Sequence, residues 1–168
     1  MNVDQLNRMD LQPFVANLGT IYEHSPWVAE AVWRERAFAS VDALAGAMAR
    51  VVAESGEDRQ LALIRAHPEL AGRAMARAEL TAASTDEQSG AGLTQCTPAE
   101  LAELAALNAR YREKFGFPFV LAVKGYHRAA IVAEFTRRLD NDRATEFPES
   151  LRQIDKIARL RLTALVTD

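Results

Sequence analysis

Apolar residues recur every three or four positions along most of this chain, the period of a helix with one buried face. Val41, Leu44, Met48 and Val51 keep that spacing in "VDALAGAMARVVAES". Leu101, Leu104, Ala105, Asn108, Tyr111 and Phe115 keep it in "LAELAALNARYREKF". Ile131, Val132, Phe135 and Leu139 form a third stripe, and Leu151, Ile154, Ala158 and Leu165 form one in a long last helix. Helix-start signals precede these stretches. Ser25-Pro26 stands before "WVAEAVW", Ser40 before Val41, and Asp58 before "RQLALIRA"; short oxygen-bearing side chains there accept from first-turn N–H groups. Thr97-Pro98-Ala99-Glu100 reads as a capping box with proline at the first helical position. Pro148 falls in the last helical stretch, where it either begins the helix proper or kinks its first turns.

One stretch has another period. In "FGFPFVLAVKG" the large residues Phe115, Phe117, Phe119, Leu121 and Val123 alternate with smaller ones, as in an extended chain, and no second segment offers itself as a pairing strand. Its backbone N–H and C=O groups need partners, which helix ends, water or a ligand would supply. The pattern as a whole predicts an all-α fold. We expect a single compact bundle of roughly eight helices, with one extended segment near residues 116–124, and a single domain over residues 1–168.

Composition agrees with that picture and removes several functions. The chain is 49% apolar and 26% charged, rich in alanine, leucine, arginine and glutamate, which favours helix. A net charge of −3 argues against a nucleic-acid binder, which would carry a basic face. Cys96 is the single cysteine, so no intrachain disulfide forms and a thiolate metal cluster is excluded. The opening "MNVDQLNRMDLQPF" lacks a basic start followed by an apolar run, and no stretch has the ~18 consecutive apolar residues of a membrane span. A soluble, cytoplasmic protein without membrane partners is the expectation.

Three positions carry candidate chemistry, each with a structural alternative. His67 stands directly before Pro68, so it marks a helix boundary. There it either caps open carbonyls or exchanges a proton from a shielded position. In "STDEQSGAGL", Ser84 and Glu87 have the spacing of a capping box. The same helix start also offers a hydroxyl, a carboxylate and the Gln88 amide to a carbonyl-bearing or anionic ligand, beside the permissive Gly90 and Gly92. Arg161 falls on the apolar stripe of the last helix, where an arginine needs a partner: an acidic residue such as Glu103, or a ligand's carboxylate or carbonyl. The three histidines show no paired ligand spacing and HExxH is absent, so no metal site is expected. On these residues alone the readings stay open between an enzyme and a non-catalytic helical module that binds a protein partner or a purine-derived ligand. Loss of turnover without loss of stability in Glu87 and Arg161 variants separates the two.

Taken together and in order, "LGTIYEHSPWVAEAVW", "LIRAHPELAGR", "STDEQSGAGL", "LNARYREKFGFPFVLAVKG" and "IARLRL" resemble the OHCU decarboxylases, the 2-oxo-4-hydroxy-4-carboxy-5-ureidoimidazoline decarboxylases of urate breakdown. The resemblance runs from about Leu18 to Leu162; Pro148 departs from it, which bears on the entry of the last helix and not on the site. It implies an all-helical, cofactor-free homodimer that forms (S)-allantoin and carbon dioxide from a small ureidoimidazoline. It places the catalytic pair on His67 and Glu87. Substrate contacts fall on Pro68, on Ser84, Thr85, Asp86, Glu87 and Gln88, on the main chain of Phe119, Val120, Leu121, Ala122 and Val123, and on Arg161.

Overall fold

The computed structural model describes residues 1–168, with the side chain of Ala74 left aside. Among the described residues there are ten α-helices and no strand, and the only bridge pairing is an isolated one between Asn2 and Thr167. The helix count exceeds the expected number because short helices of a turn or two leave no periodic signature. No helix is long and apolar enough to cross a membrane, among the described residues.

The chain forms two compact units, Met1–Ala66 with Ile154–Asp168, and His67–Gln153. The first holds α1 (Val3–Asn7), α2 (Leu11–Leu18), α3 (Trp27–Val32), α4 (Val41–Glu54) and α5 (Glu57–Ala66). The second holds α6 (Arg73–Ala76), α7 (Ala82–Gly90), α8 (Pro98–Phe115) and α9 (Arg128–Leu139). The last helix, α10 (Arg143–Leu165), begins in the second unit and ends in the first.

Local chemistry explains where these helices start. The Ser40 hydroxyl accepts from Ala43 N–H at 3.1 Å, as expected for the start of α4. Thr97 and Glu100 close a reciprocal capping box on α8, with bonds of 3.2 and 2.7 Å. Other starts differ from the expectation: α3 has Pro26 at its N-cap with no side-chain bond, and α5 begins at Glu57, one residue before Asp58. Ser84 does not cap α7: Thr81 does, its hydroxyl accepting from Ser84 N–H at 3.3 Å, and Ser84 is buried within the first turn. α10 begins at Arg143, upstream of Pro148, with the Asp142 carboxylate accepting from Thr145 N–H at 2.8 Å. Of the two expected places for Pro148, the structure has the one within the first turns of the helix and not the one that opens it.

In the first unit, Leu6, Phe14, Leu18, Val32, Leu44, Met48 and Ile64 are fully buried. Tyr22 donates its hydroxyl to Asp155 of α10 at 2.9 Å. In the second unit the core is aromatic. Tyr111 meets Phe115, Phe117, Phe119 and Phe135 in tilted or edge-on geometry, and Phe119 stacks on Phe135 with ring centroids 3.8 Å apart. Each such pair adds about 0.5–1.5 kcal/mol beyond its area burial. The alternating aromatics of the 116–124 segment are thus the wall of this core. The segment itself has neither helical nor strand pairing.

Candidate functional site

His67 is the first residue of the second unit, directly after the end of α5, and is 6% exposed. The turn it opens, His67 to Gly72, is tied down along its length. The Gln88 amide oxygen accepts from Ala71 N–H at 2.9 Å, and its nitrogen donates to Glu69 O at 3.4 Å. Asn108 Nδ2 donates to Leu70 O at 2.9 Å, and the Arg112 guanidinium pairs with the Glu69 carboxylate. Ala71 holds a φ of +50°, a left-handed conformation that a non-glycine residue keeps only when its surroundings impose it. The side chains from α7 and α8 are those surroundings.

α7 supplies the rest of this corner. Ser84 and Gln88 are each 3% exposed and Glu87 is half-buried, so the face that spans Ser84, Glu87, Gln88 and Ala91 turns inward. Thr85 and Asp86 are on the exposed side, and the Thr85 hydroxyl donates to Thr81 O at 3.0 Å. The structure thus places the expected α7 residues on two different faces. It also gives Gln88 a role in holding the His67 turn. Gly92, with φ +75°, ends the helix in the left-handed conformation glycine adopts freely.

The 119–123 main chain is held by side chains from α9 and α10. Arg138 Nη1 donates to Val120 O at 2.7 Å, and Ala122 N–H donates to Gln153 Oε1 at 3.1 Å. The question of what satisfies this segment therefore has a partial answer in protein groups that its own spacing did not name. Arg138 is 0% exposed; its guanidinium pairs with the equally buried Glu146, contacts Ser150 Oγ at 3.3 Å, and lies 4.5 Å over the Phe119 ring. The Tyr111 hydroxyl donates to the same Glu146 carboxylate, and burial raises the tyrosine's pKa well above the ordinary range. Arg138, Glu146 and Gln153 were missed from sequence. The available signal was an arginine on the apolar face of α9, the same signal that singled out Arg161.

Arg161 belongs to the first unit. Its partner is Glu23, at 2.8 Å, and not Glu103, which is exposed on α8. The two side chains are 8% and 2% exposed, and Arg161 also donates to Ile21 O at 3.4 Å. Among the described residues no group of three or more histidine, cysteine, aspartate or glutamate side chains is arranged to hold a metal ion.

Comparison with known proteins gives the chain its family. The model of the OHCU decarboxylase family matches residues 7–163 and so runs through both units. The 2-oxo-4-hydroxy-4-carboxy-5-ureidoimidazoline decarboxylase of Haloferax volcanii is 45% identical over 162 residues, covering 96% of this chain and 94% of that protein. The enzyme of the same name from Halalkalicoccus jeotgali is 42% identical over 165 residues, covering 98% of this chain and 92% of its own. Among solved structures, the crystal structure of (S)-allantoin synthase superposes with a TM-score of 0.80 at 31% identity, over 99% of this chain and 54% of that one, so this chain spans about half its length. By sequence over nearly its whole length, and by fold, the chain belongs to the OHCU decarboxylase family.

Proposed function

We propose that this chain decarboxylates 2-oxo-4-hydroxy-4-carboxy-5-ureidoimidazoline to (S)-allantoin and carbon dioxide in urate degradation, with His67 as proton donor. The observation that carries the assignment to these residues is the burial of His67 at the head of a turn that Gln88 of α7 holds by both ends of its amide. An imidazole held in a shielded, preorganised place suits proton transfer near neutral pH.

The substrate contains its own electron sink. The bond between the ring carbon and its carboxylate breaks, and the electron pair moves toward the adjoining C=N. The hydroxyl on that carbon releases its proton to the ring nitrogen and becomes the carbonyl. The neighbouring carbon, which bears the ureido group, takes a proton from His67 on one face and becomes the stereocentre. Glu87 orients His67 or the substrate hydroxyl. Ser84, Gln88 and the main chain of the 119–123 segment hold the ring and its ureido group, and Arg161 takes a carbonyl or carboxylate of the ligand. Pro68, Thr85 and Asp86 complete the contacts that the family resemblance assigns. The reading includes no cofactor and a homodimer, both supported by that resemblance, one catalytic domain made of the whole chain, supported by its length, and a cytoplasmic location, supported by the sequence pattern alone.

The test follows circular dichroism while urate is oxidised and its product hydrolysed in situ. Rapid formation of (S)-allantoin above the racemic background is expected with the unmodified protein. His67→Gln should lose about 10²–10⁴-fold in rate with an unchanged thermal midpoint. Near-normal turnover in His67→Gln would remove the histidine from the mechanism.

A further inference from the structure

Two side chains grip the 119–123 main chain at alternate residues. Arg138 holds Val120 through its carbonyl at 2.7 Å, and Gln153 holds Ala122 through its N–H at 3.1 Å. In an extended chain, residues two apart turn their N–H and C=O groups to the same side, and the residue between turns its pair to the other. With Val120 and Ala122 held from α9 and α10, that alternation would turn the N–H and C=O of Leu121 away from those helices. One residue's donor and acceptor side by side match the edge of a ureide or cyclic amide, in which N–H adjoins C=O.

The grip at Ala122 has a defined direction. Gln153 is 5% exposed, and its Nε2 donates to Glu149 Oε1 at 2.7 Å. That bond commits the amide nitrogen to Glu149 and leaves the oxygen for Ala122. Glu149 is itself bound by Arg152, at 2.9 and 2.6 Å. Gln153 does not need to touch the ligand to affect it.

We propose that Gln153 is a positioning residue for the decarboxylation: by accepting from Ala122 N–H it sets the orientation in which Leu121 offers its N–H and C=O to the ureido-bearing ring. The inference rests on the decarboxylase reading of this segment. Its consequence is kinetic and stereochemical. A segment free to rotate presents the ring to its proton donor less uniformly, so affinity and enantiomeric purity fall together.

Two variants isolate the hydrogen bond from the packing. Gln153→Met keeps the volume and removes the acceptor. The exchange Glu149→Gln with Gln153→Glu keeps an acceptor facing Ala122 and keeps a hydrogen bond between the two side chains. We expect Gln153→Met to raise KM for the ureidoimidazoline roughly tenfold, the worth of one such bond, and to lower the enantiomeric excess of allantoin after subtraction of the spontaneous reaction. The exchanged pair should return KM to within about threefold of the unmodified protein. Wild-type KM and enantiomeric excess in a folded Gln153→Met protein would overturn the positioning role while leaving the decarboxylase standing. Only racemic product from the unmodified chain would overturn both. Should Gln153→Met fail to fold, amide hydrogen exchange decides: slow exchange at Ala122 in the unmodified protein is expected, and exchange as fast as at a solvent-exposed amide overturns the proposal.

Discussion

Arg138 and Glu146 form an ion pair with neither side chain exposed to solvent, and the same guanidinium reaches past its partner to the Val120 carbonyl. Removing two charges from water costs several kcal/mol per ion unless further hydrogen bonds meet them. Here they do: the Tyr111 and Ser150 hydroxyls join the cluster, and Asn141 Nδ2 donates to the second Glu146 oxygen at 2.8 Å. The pair therefore connects α9, the start of α10 and the 119–123 segment proposed above to bind substrate.

Breaking that pair should be expensive. Glu146→Gln is expected to lower unfolding free energy by roughly 3–5 kcal/mol, read as a lower urea midpoint with little change in slope. A loss below about 0.5 kcal/mol, the scale of an ordinary surface substitution, would show that the cluster tolerates an uncompensated guanidinium.

The Glu23–Arg161 pair predicts a coupling between two residues 138 positions apart. Because both side chains are at most 8% exposed, water screens them little. Glu23→Gln and Arg161→Met should each destabilise by roughly 3–5 kcal/mol, so the expected loss of turnover without loss of stability can be sought at Glu87 and not at Arg161. The double variant should lose clearly less than the sum of the two. Additive losses would mean that the 2.8 Å contact carries no interaction energy.

Gln88→Leu removes both bonds that hold the His67 turn and leaves Ala71 N–H without that acceptor. We expect a loss of about 1–3 kcal/mol together with a reduced kcat. Gln88→Glu, which keeps an acceptor for Ala71, should recover part of each. Full activity in Gln88→Leu would separate the turn's order from catalysis.

Burial raises the pKa of the Asp155 carboxyl above its ordinary value of 3.8, and the hydrogen bond from the Tyr22 hydroxyl offsets only part of that rise. The sign follows from linkage. The protonated carboxyl is favoured in the folded state, so its contribution is full below the ordinary value and is lost as pH rises through the folded one. Asp155→Asn keeps an acceptor for Tyr22 and does not ionise. Its thermal midpoint should therefore rise relative to the unmodified protein as pH increases through the carboxylate range. Parallel curves would show that this carboxyl titrates alike in folded and unfolded chains.

Much of the helical architecture was legible because its causes are local. Ser40 and the Thr97–Glu100 box act within one turn, and the stripes of α8 and α9 follow from a period of three and four residues. The same local logic misread Ser84. The cap is Thr81, three residues upstream and not singled out by its spacing, and Ser84 is buried within the first turn. A serine already inside the protein does not need to stand at the mouth of a helix.

By itself the sequence determined which faces turn inward, which segment resists helix formation, and which family motifs mark His67, Glu87 and Arg161. Periodicity reports that Arg138 and Arg161 sit on apolar faces, so each must find a partner. It does not report which carboxylate comes within reach, because Glu23 and Glu146 are brought there by the folded path of the chain. Nor does spacing show that Gln88 and Gln153 spend their amides on backbone 17 and 31 residues away. Local steric and capping forces act over one turn. Buried charges and backbone groups are paired by whatever the tertiary structure places beside them, and only that structure decides it.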